Sequence, residues 1–105
     1  MINDTETMPY LIETFATGQA VVRFAEICDH TRTAVHELEL IGLLEMHARV
    51  VLDLSKTLVM TANWLRWLHG LANQAKKANK EVVVSGMSES LKESAEVLAL
   101  KYNFV

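Results

Sequence analysis

The spacing of apolar and polar positions changes period repeatedly along this chain, and each change marks an element. Residues 9–15 suit a strand with Pro9 at its start, where a missing N–H does least harm. Thr17-Gly18 supplies turn chemistry, because Gly18 takes a positive φ without steric cost. Residues 19–25 then read as the return strand of a hairpin. A polar break, Asp29-His30-Thr31-Arg32-Thr33, offers several helix N-caps. Beyond it Ala34, Val35, Leu38, Ile41, Leu43 and Leu44 recur at helical spacing, with Glu37, Glu39 and Glu45 among the polar positions. Residues 50–54 form an apolar run broken by one acid, expected in the sheet interior and buried on both faces. A second helix is expected from near Asn63 to about Ala78. Lys76, Lys77 and Lys80 at its end suit the negative pole of the helix dipole and read as a solvated helix end. Residues 81–85 give the last strand, and Gly86 leads into a Ser88 cap. The third helix is expected through about Lys101, with Leu91, Ala95, Leu98 and Tyr102 on one stripe.

The element order is therefore β-β-α-β-α-β-α. Strand-helix-strand crossovers require parallel pairing, whereas the opening hairpin is antiparallel. The expected class is α/β: a mixed, mostly parallel sheet of about four strands, with an N-terminal hairpin and about three amphipathic helices. Residues 8–105 are expected to form a single domain, and residues 1–7 a flexible N-terminal tail.

Composition narrows the class. With 105 residues, half of them hydrophobic, the chain can fill one core. A charged fraction of 22% argues against disorder. The net charge of −3 gives no general attraction to nucleic acid or anionic lipid. Cys28 stands alone, cannot form an internal disulfide and reads as a small buried hydrophobe, which suits a reducing compartment. No apolar run approaches the ~20 residues needed to span a bilayer, and the polar, acidic N-terminus is unlike a secretory leader. A soluble cytoplasmic protein, with no nucleic-acid partner and no membrane insertion, is expected.

The stretch Arg49-Val50-Val51-Leu52-Asp53-Leu54-Ser55-Lys56-Thr57-Leu58-Val59-Met60-Thr61-Ala62-Asn63-Trp64-Leu65 reads as a buried strand, a loop and the first turn of a helix. It resembles the signature of STAS domains, the sulfate transporter and anti-sigma-factor antagonist family. Val82-Val83-Val84-Ser85-Gly86 with Ser88 resembles the family's next strand and cap, and Asp29 falls where the family has an acid. The element order is also that of the family. The chain departs from it at the junction, where Asp-Ser-Ser-Gly is replaced by Thr61-Ala62-Asn63-Trp64.

What the resemblance implies is a non-enzymatic binding module. In such domains the second serine of the junction accepts phosphate from a partner serine kinase, often itself an anti-sigma factor, and the phosphoprotein releases that partner. Phosphate adds close to two negative charges, and the helix N-terminus can hold them within the protein. Here the phosphoacceptor-equivalent position is Asn63, which cannot be phosphorylated; it reads as a helix N-cap. Thr61, Thr57 and Ser55 are displaced hydroxyls that remain open as acceptors.

The expected contact surface is the loop 56–63 with the start of the second helix. Its candidates are Asp29, Thr61, Ala62, Asn63, Trp64 and Trp67. Trp64 is a candidate interface anchor, because the first turn of this helix borders the partner surface in the family, and its exposure is left open by the sequence. Trp67, with Leu71, alternatively extends a core stripe of Leu65, Leu68, Ala72 and Ala75. Arg66 is a candidate rim contact or a solvated arginine. Asp53, near the end of its strand, either shapes an acidic pocket with Asp29 or is held by loop N–H groups.

No catalytic, cofactor or metal site is expected. His30, His36, His47 and His69 lack ligand spacing, and the four glycines form no phosphate-binding loop. The leading expectation is a regulator resembling an anti-sigma-factor antagonist, binding an anti-sigma factor or serine kinase without the serine switch. The alternative is a structural STAS subunit of an ABC lipid transporter or a stress-sensing scaffold. A homodimer stays open, and a small-ligand binder or enzyme ranks last.

Overall fold

The structure is a computed structural model, in which residues 9–29 and 34–101 are described. The elements are β1 (Tyr10–Phe15), β2 (Gln19–Phe24), β3 (Ile27–Cys28), α1 (Ala34–Met46), β4 (Arg49–Asp53), β5 (Val59–Met60), α2 (Ala62–Lys77), β6 (Glu81–Ser85) and α3 (Glu89–Val97). The N-terminal tail expected over 1–7, the caps His30–Thr33 and Tyr102 lie outside the described residues.

The principal sheet has the order β1-β2-β4-β6. The β1–β2 hairpin is antiparallel and turns at Gly18, whose φ of +84° suits glycine and whose N–H donates to Phe15 C=O at 3.2 Å. β2, β4 and β6 run parallel, with Val22, Leu52 and Val84 abreast. The α/β class and the mixed, mostly parallel sheet are thus as the periodicity predicts.

One sheet face carries Ala20, Val22, Val50, Leu52, Val82 and Val84 into the core, where they meet Leu40 and Leu44 of α1, Leu65, Leu68 and Leu71 of α2, and Leu91 of α3. β4 lies between β2 and β6, as its apolar run suggests, but it is not buried evenly. Val50 and Leu52 are buried, while Arg49, Val51 and Asp53 on the alternate face are half-buried.

α1 keeps half of the expected stripe: Leu44 is buried and Ile41 and Leu43 pack against the core, joined by Leu40, whereas Val35 and Leu38 are about 70% exposed. The helix is apolar on nearly every side, so periodicity alone cannot select the buried one.

Both later helices end in left-handed residues. Asn79 closes α2 at φ 59°, with Lys80 N–H reaching back to Ala75 C=O at 2.8 Å. Ala99 closes α3 at φ 61°, with Leu100 N–H reaching Ala95 C=O at 2.9 Å. α3 therefore stops at Val97 rather than continuing to Lys101. Lys80 is half-buried and donates to Leu44 C=O, capping the end of α1, so it is not part of a solvated cluster with Lys76 and Lys77.

Candidate functional site

The connection from β4 to α2 is held from both sides. Asp53 ends β4, and its carboxylate accepts the Ser55 N–H at 2.9 Å, the local turn that Asp favours. The Arg23 guanidinium lies 3.5 Å from the same carboxylate. Burial opposes ionisation, but hydrogen bonds from Ser55 and the Arg23 charge outweigh it and hold the carboxyl below its ordinary value. Of the two readings of Asp53, this geometry is that of a carboxylate held by loop N–H groups. Leu54 N–H donates to Ser85 C=O at 2.8 Å, and Gly86 passes so close that a Cβ there would sit 2.7 Å from Ser55 Cβ. With φ at +75° as well, glycine is required at that position.

Thr57 is only 2% exposed, and its hydroxyl donates to Ala25 C=O at 3.0 Å. A hydroxyl so placed serves two adjacent carbonyls, of Phe24 and Ala25, and is closed to a kinase, so Thr57 is not available as a displaced phosphoacceptor. The next two residues fasten the loop further. Leu58 and Val59 N–H groups both donate to Glu26 C=O, at 2.8 and 3.2 Å. β5 then pairs in parallel with β3, Ile27 beside Val59 and Cys28 beside Met60.

This two-strand pair brings Asp29 and Thr61 abreast. Thr61 N–H donates to Cys28 C=O at 3.2 Å, and exposed Asp29 directly follows Cys28. Cys28 and Met60 face inward; burial, with the neighbouring Asp29 charge, pushes the Cys28 thiol up to about 12 and makes it inert. The preceding pair, Ile27 and Val59, faces outward, each about half exposed, beside Leu58 at 64%. The result is a small apolar patch leading directly into α2. Sequence reasoning missed it: two-residue strands carry no period, and a lone Ile or Val reads the same in a core or on a surface.

The start of α2 corrects the expected cap. Thr61, not Asn63, is the N-cap: its backbone is extended and its Oγ accepts the Trp64 N–H at 3.3 Å. Ala62 and Asn63 are the first two helical residues, and both are exposed. Trp64 is 0% exposed. Its ring centroid lies 5.9 Å from those of Phe24 and His36 and 6.4 Å from those of Tyr10 and Trp67. It is the centre of an aromatic cluster rather than an exposed anchor, since packing four rings outweighs leaving a large apolar side chain in water.

Trp67 is half-buried against the same core, Arg66 is exposed, and His36 and Trp67 flank Trp64. Of the six expected contact residues, Asp29, Ala62 and Asn63 share the exposed rim around the cap at Thr61, and the tryptophans lie beneath it. Among the described residues no group of three His, Cys, Asp or Glu side chains could hold a metal, and no helix is long and apolar enough to cross a membrane.

Comparison with solved structures agrees with this architecture. The anti-sigma factor antagonist SpoIIAA in its unphosphorylated form superposes with a TM-score of 0.68 at 9% identity, covering 91% of this chain and 86% of that one. The Bacillus cell fate determinant SpoIIAA in its phosphorylated form gives a TM-score of 0.65 at 9% identity, covering 87% and 84%. No protein-family model and no curated protein matches the sequence. The chain has the STAS fold of these anti-sigma factor antagonists, and at such identity the likeness extends to the fold alone.

Proposed function

We propose that this chain is a single-domain, non-enzymatic regulatory module of the cytoplasm that binds an anti-sigma factor or a serine kinase and carries no serine switch. The observation that carries the reading is Asn63, an exposed amide in the first turn of α2, where the resemblance puts the phosphoacceptor. An amide offers hydrogen bonds but no hydroxyl to phosphorylate. The surface around it is otherwise furnished for binding. Ile27, Leu58 and Val59 supply an exposed apolar centre, while Asp29 and Asn63, with the small side chain of Ala62, form its rim. The apolar patch takes over the anchoring part that Trp64 cannot perform.

The loop is tied to the 24–28 segment by the hydrogen bonds of Thr57, Leu58, Val59 and Thr61, so a partner would meet a surface already in place. Without an acceptor serine, association would follow the partner's abundance rather than a modification of this chain. A second reading is a structural STAS subunit of an ABC lipid transporter or a stress-sensing scaffold. The apolar outer side of α1 favours it, since permanently assembled subunits use wide apolar contacts.

Affinity capture from lysate of the protein's own cells, with the tag away from the loop, separates the two. Wild type, Asn63→Asp and Ile27→Asp would be run together and the captured proteins identified by mass spectrometry. An anti-sigma factor or serine kinase recovered by wild type and lost with both variants is expected. Recovery of the same transporter or scaffold proteins by all three overturns the regulatory reading in favour of the second.

A further inference from the structure

We propose that the outer side of α1 docks an amphipathic helix of another protein, one whose apolar stripe is flanked by lysines or arginines. This rests on a surface separate from the α2 site and does not depend on the reading given to that site. Successive helical residues are about 100° apart, so Val35, Leu38, Gly42 and Met46 fall within a sector of about 80°. That sector lies opposite Leu40 and Leu44, which face the core. Val35 is 71%, Leu38 70% and Met46 81% exposed. A surface helix normally places polar residues here, and on α1 the most solvent-directed positions are instead apolar.

Gly42 sits in the middle of this stripe. A Cβ added there would meet nothing within 4 Å, so no contact within the chain needs the glycine. Glycine inside a helix is unfavourable relative to alanine, and a bare backbone at the centre of an apolar stripe admits close approach of a second helix.

Charge decides the occupant. Exposed Glu39 and Glu45 border the stripe on its two sides, and α1 has no lysine or arginine. Glu39 also accepts a hydrogen bond from Tyr10 Oη at 2.7 Å, which fixes it at the edge. A second copy fits poorly. An antiparallel pair of α1 helices crossing at Gly42 would line both edges of the seam with carboxylates, Glu39 of each copy along one edge and Glu45 of each copy along the other, with no lysine or arginine of α1 between them. An anionic lipid surface would meet the same carboxylates and be repelled. A helix carrying cations beside its apolar stripe meets both requirements.

The test uses two fluorescein-labelled synthetic helical peptides with the same leucine stripe, one flanked by lysine and arginine and one by glutamate, read by anisotropy against the full chain. The basic peptide should bind wild type about tenfold or more tightly than the acidic one. Binding should fall by a similar factor in Leu38→Lys and in Gly42→Leu, and stay unchanged in Val97→Lys, which alters an exposed apolar residue on α3. Gly42→Leu extends into open space, so circular dichroism should show all three variants folded. Equal binding of the two peptides, or binding indifferent to Leu38→Lys and Gly42→Leu, overturns the proposal. So does a dimer in sedimentation velocity that Leu38→Lys dissolves, which gives the face to a second copy. Leu38-dependent binding to phosphatidylserine vesicles would likewise overturn it in favour of a membrane.

Discussion

Asn63 and Trp64 are neighbours with opposite fates, because successive helical residues lie about 100° apart and only one of the two can face the core. Thr61 caps α2, Asn63 points outward and Trp64 inward. If the tryptophan were an exposed anchor, truncating it would spare stability. Buried among Tyr10, Phe24, His36 and Trp67, it should cost about 3–5 kcal/mol as Trp64→Ala, read as a lower urea midpoint. Asp53 makes a second residue-scale prediction. Its folded value is depressed, so its contribution is fully present above the ordinary carboxylate value of about 3.9 and is lost as pH falls through the folded value. Asp53→Asn should therefore flatten stability against pH in that acid window, leaving its slope near neutrality unchanged. Chemical denaturation across a pH series checks this. Sequence alone puts the cap at Asn63, whereas Thr61, a residue of equally good capping type, holds it. The choice depends on where the aromatic cluster needs Trp64, which is a tertiary fact.

At the scale of elements, the strands were the most legible parts. The apolar runs and the Gly18 turn placed β1, β2, β4 and β6 within a residue or so, and Gly86-Met87-Ser88 placed the start of α3. What remained hidden was short or lacked a signal. β3 and β5 have two residues each, too few for any period, and exist because backbone hydrogen bonds to Glu26 and Cys28 fasten the loop. The end of α3 was equally invisible, since an alanine performs the left-handed turn that glycine usually supplies. Ala99→Gly should accordingly raise stability by about 1 kcal/mol by relieving that strain, measured as a higher denaturant midpoint at unchanged slope. Gly86→Ala should do the reverse, because the new methyl would overlap Ser55 and sit at positive φ. Loss of stability together with weakened capture at the α2 surface would tie the two loops into one structural unit.

At the scale of the molecule, the strand order gathers the candidate features at one end of the sheet. β4 and β6 deliver Asp53 and Ser85 side by side, and the segments that follow them pack Ser55 against Gly86. The candidate surface thus stands on a rigid base formed by the ends of parallel strands, with α2 opening from it. The fold matches that of the anti-sigma factor antagonist structures, while 9% identity shows how little of it depends on particular side chains. The class and sheet were legible because they follow from periodicity and handed crossovers. The proposed surface was only half legible. Asp29, Ala62 and Asn63 could be named in advance, but the apolar centre at Ile27, Leu58 and Val59 required knowing which residues turn outward.

The measurement that tests the central claim most directly is intact mass spectrometry after incubation with the captured serine kinase and ATP. Wild type and Asn63→Ser would be treated side by side. The wild-type mass should stay unchanged, while Asn63→Ser, with a hydroxyl restored on the exposed first turn of α2, should gain one phosphate. A stoichiometric phosphate on wild type, at Thr61 or Ser55, would contradict a surface that binds without a covalent switch.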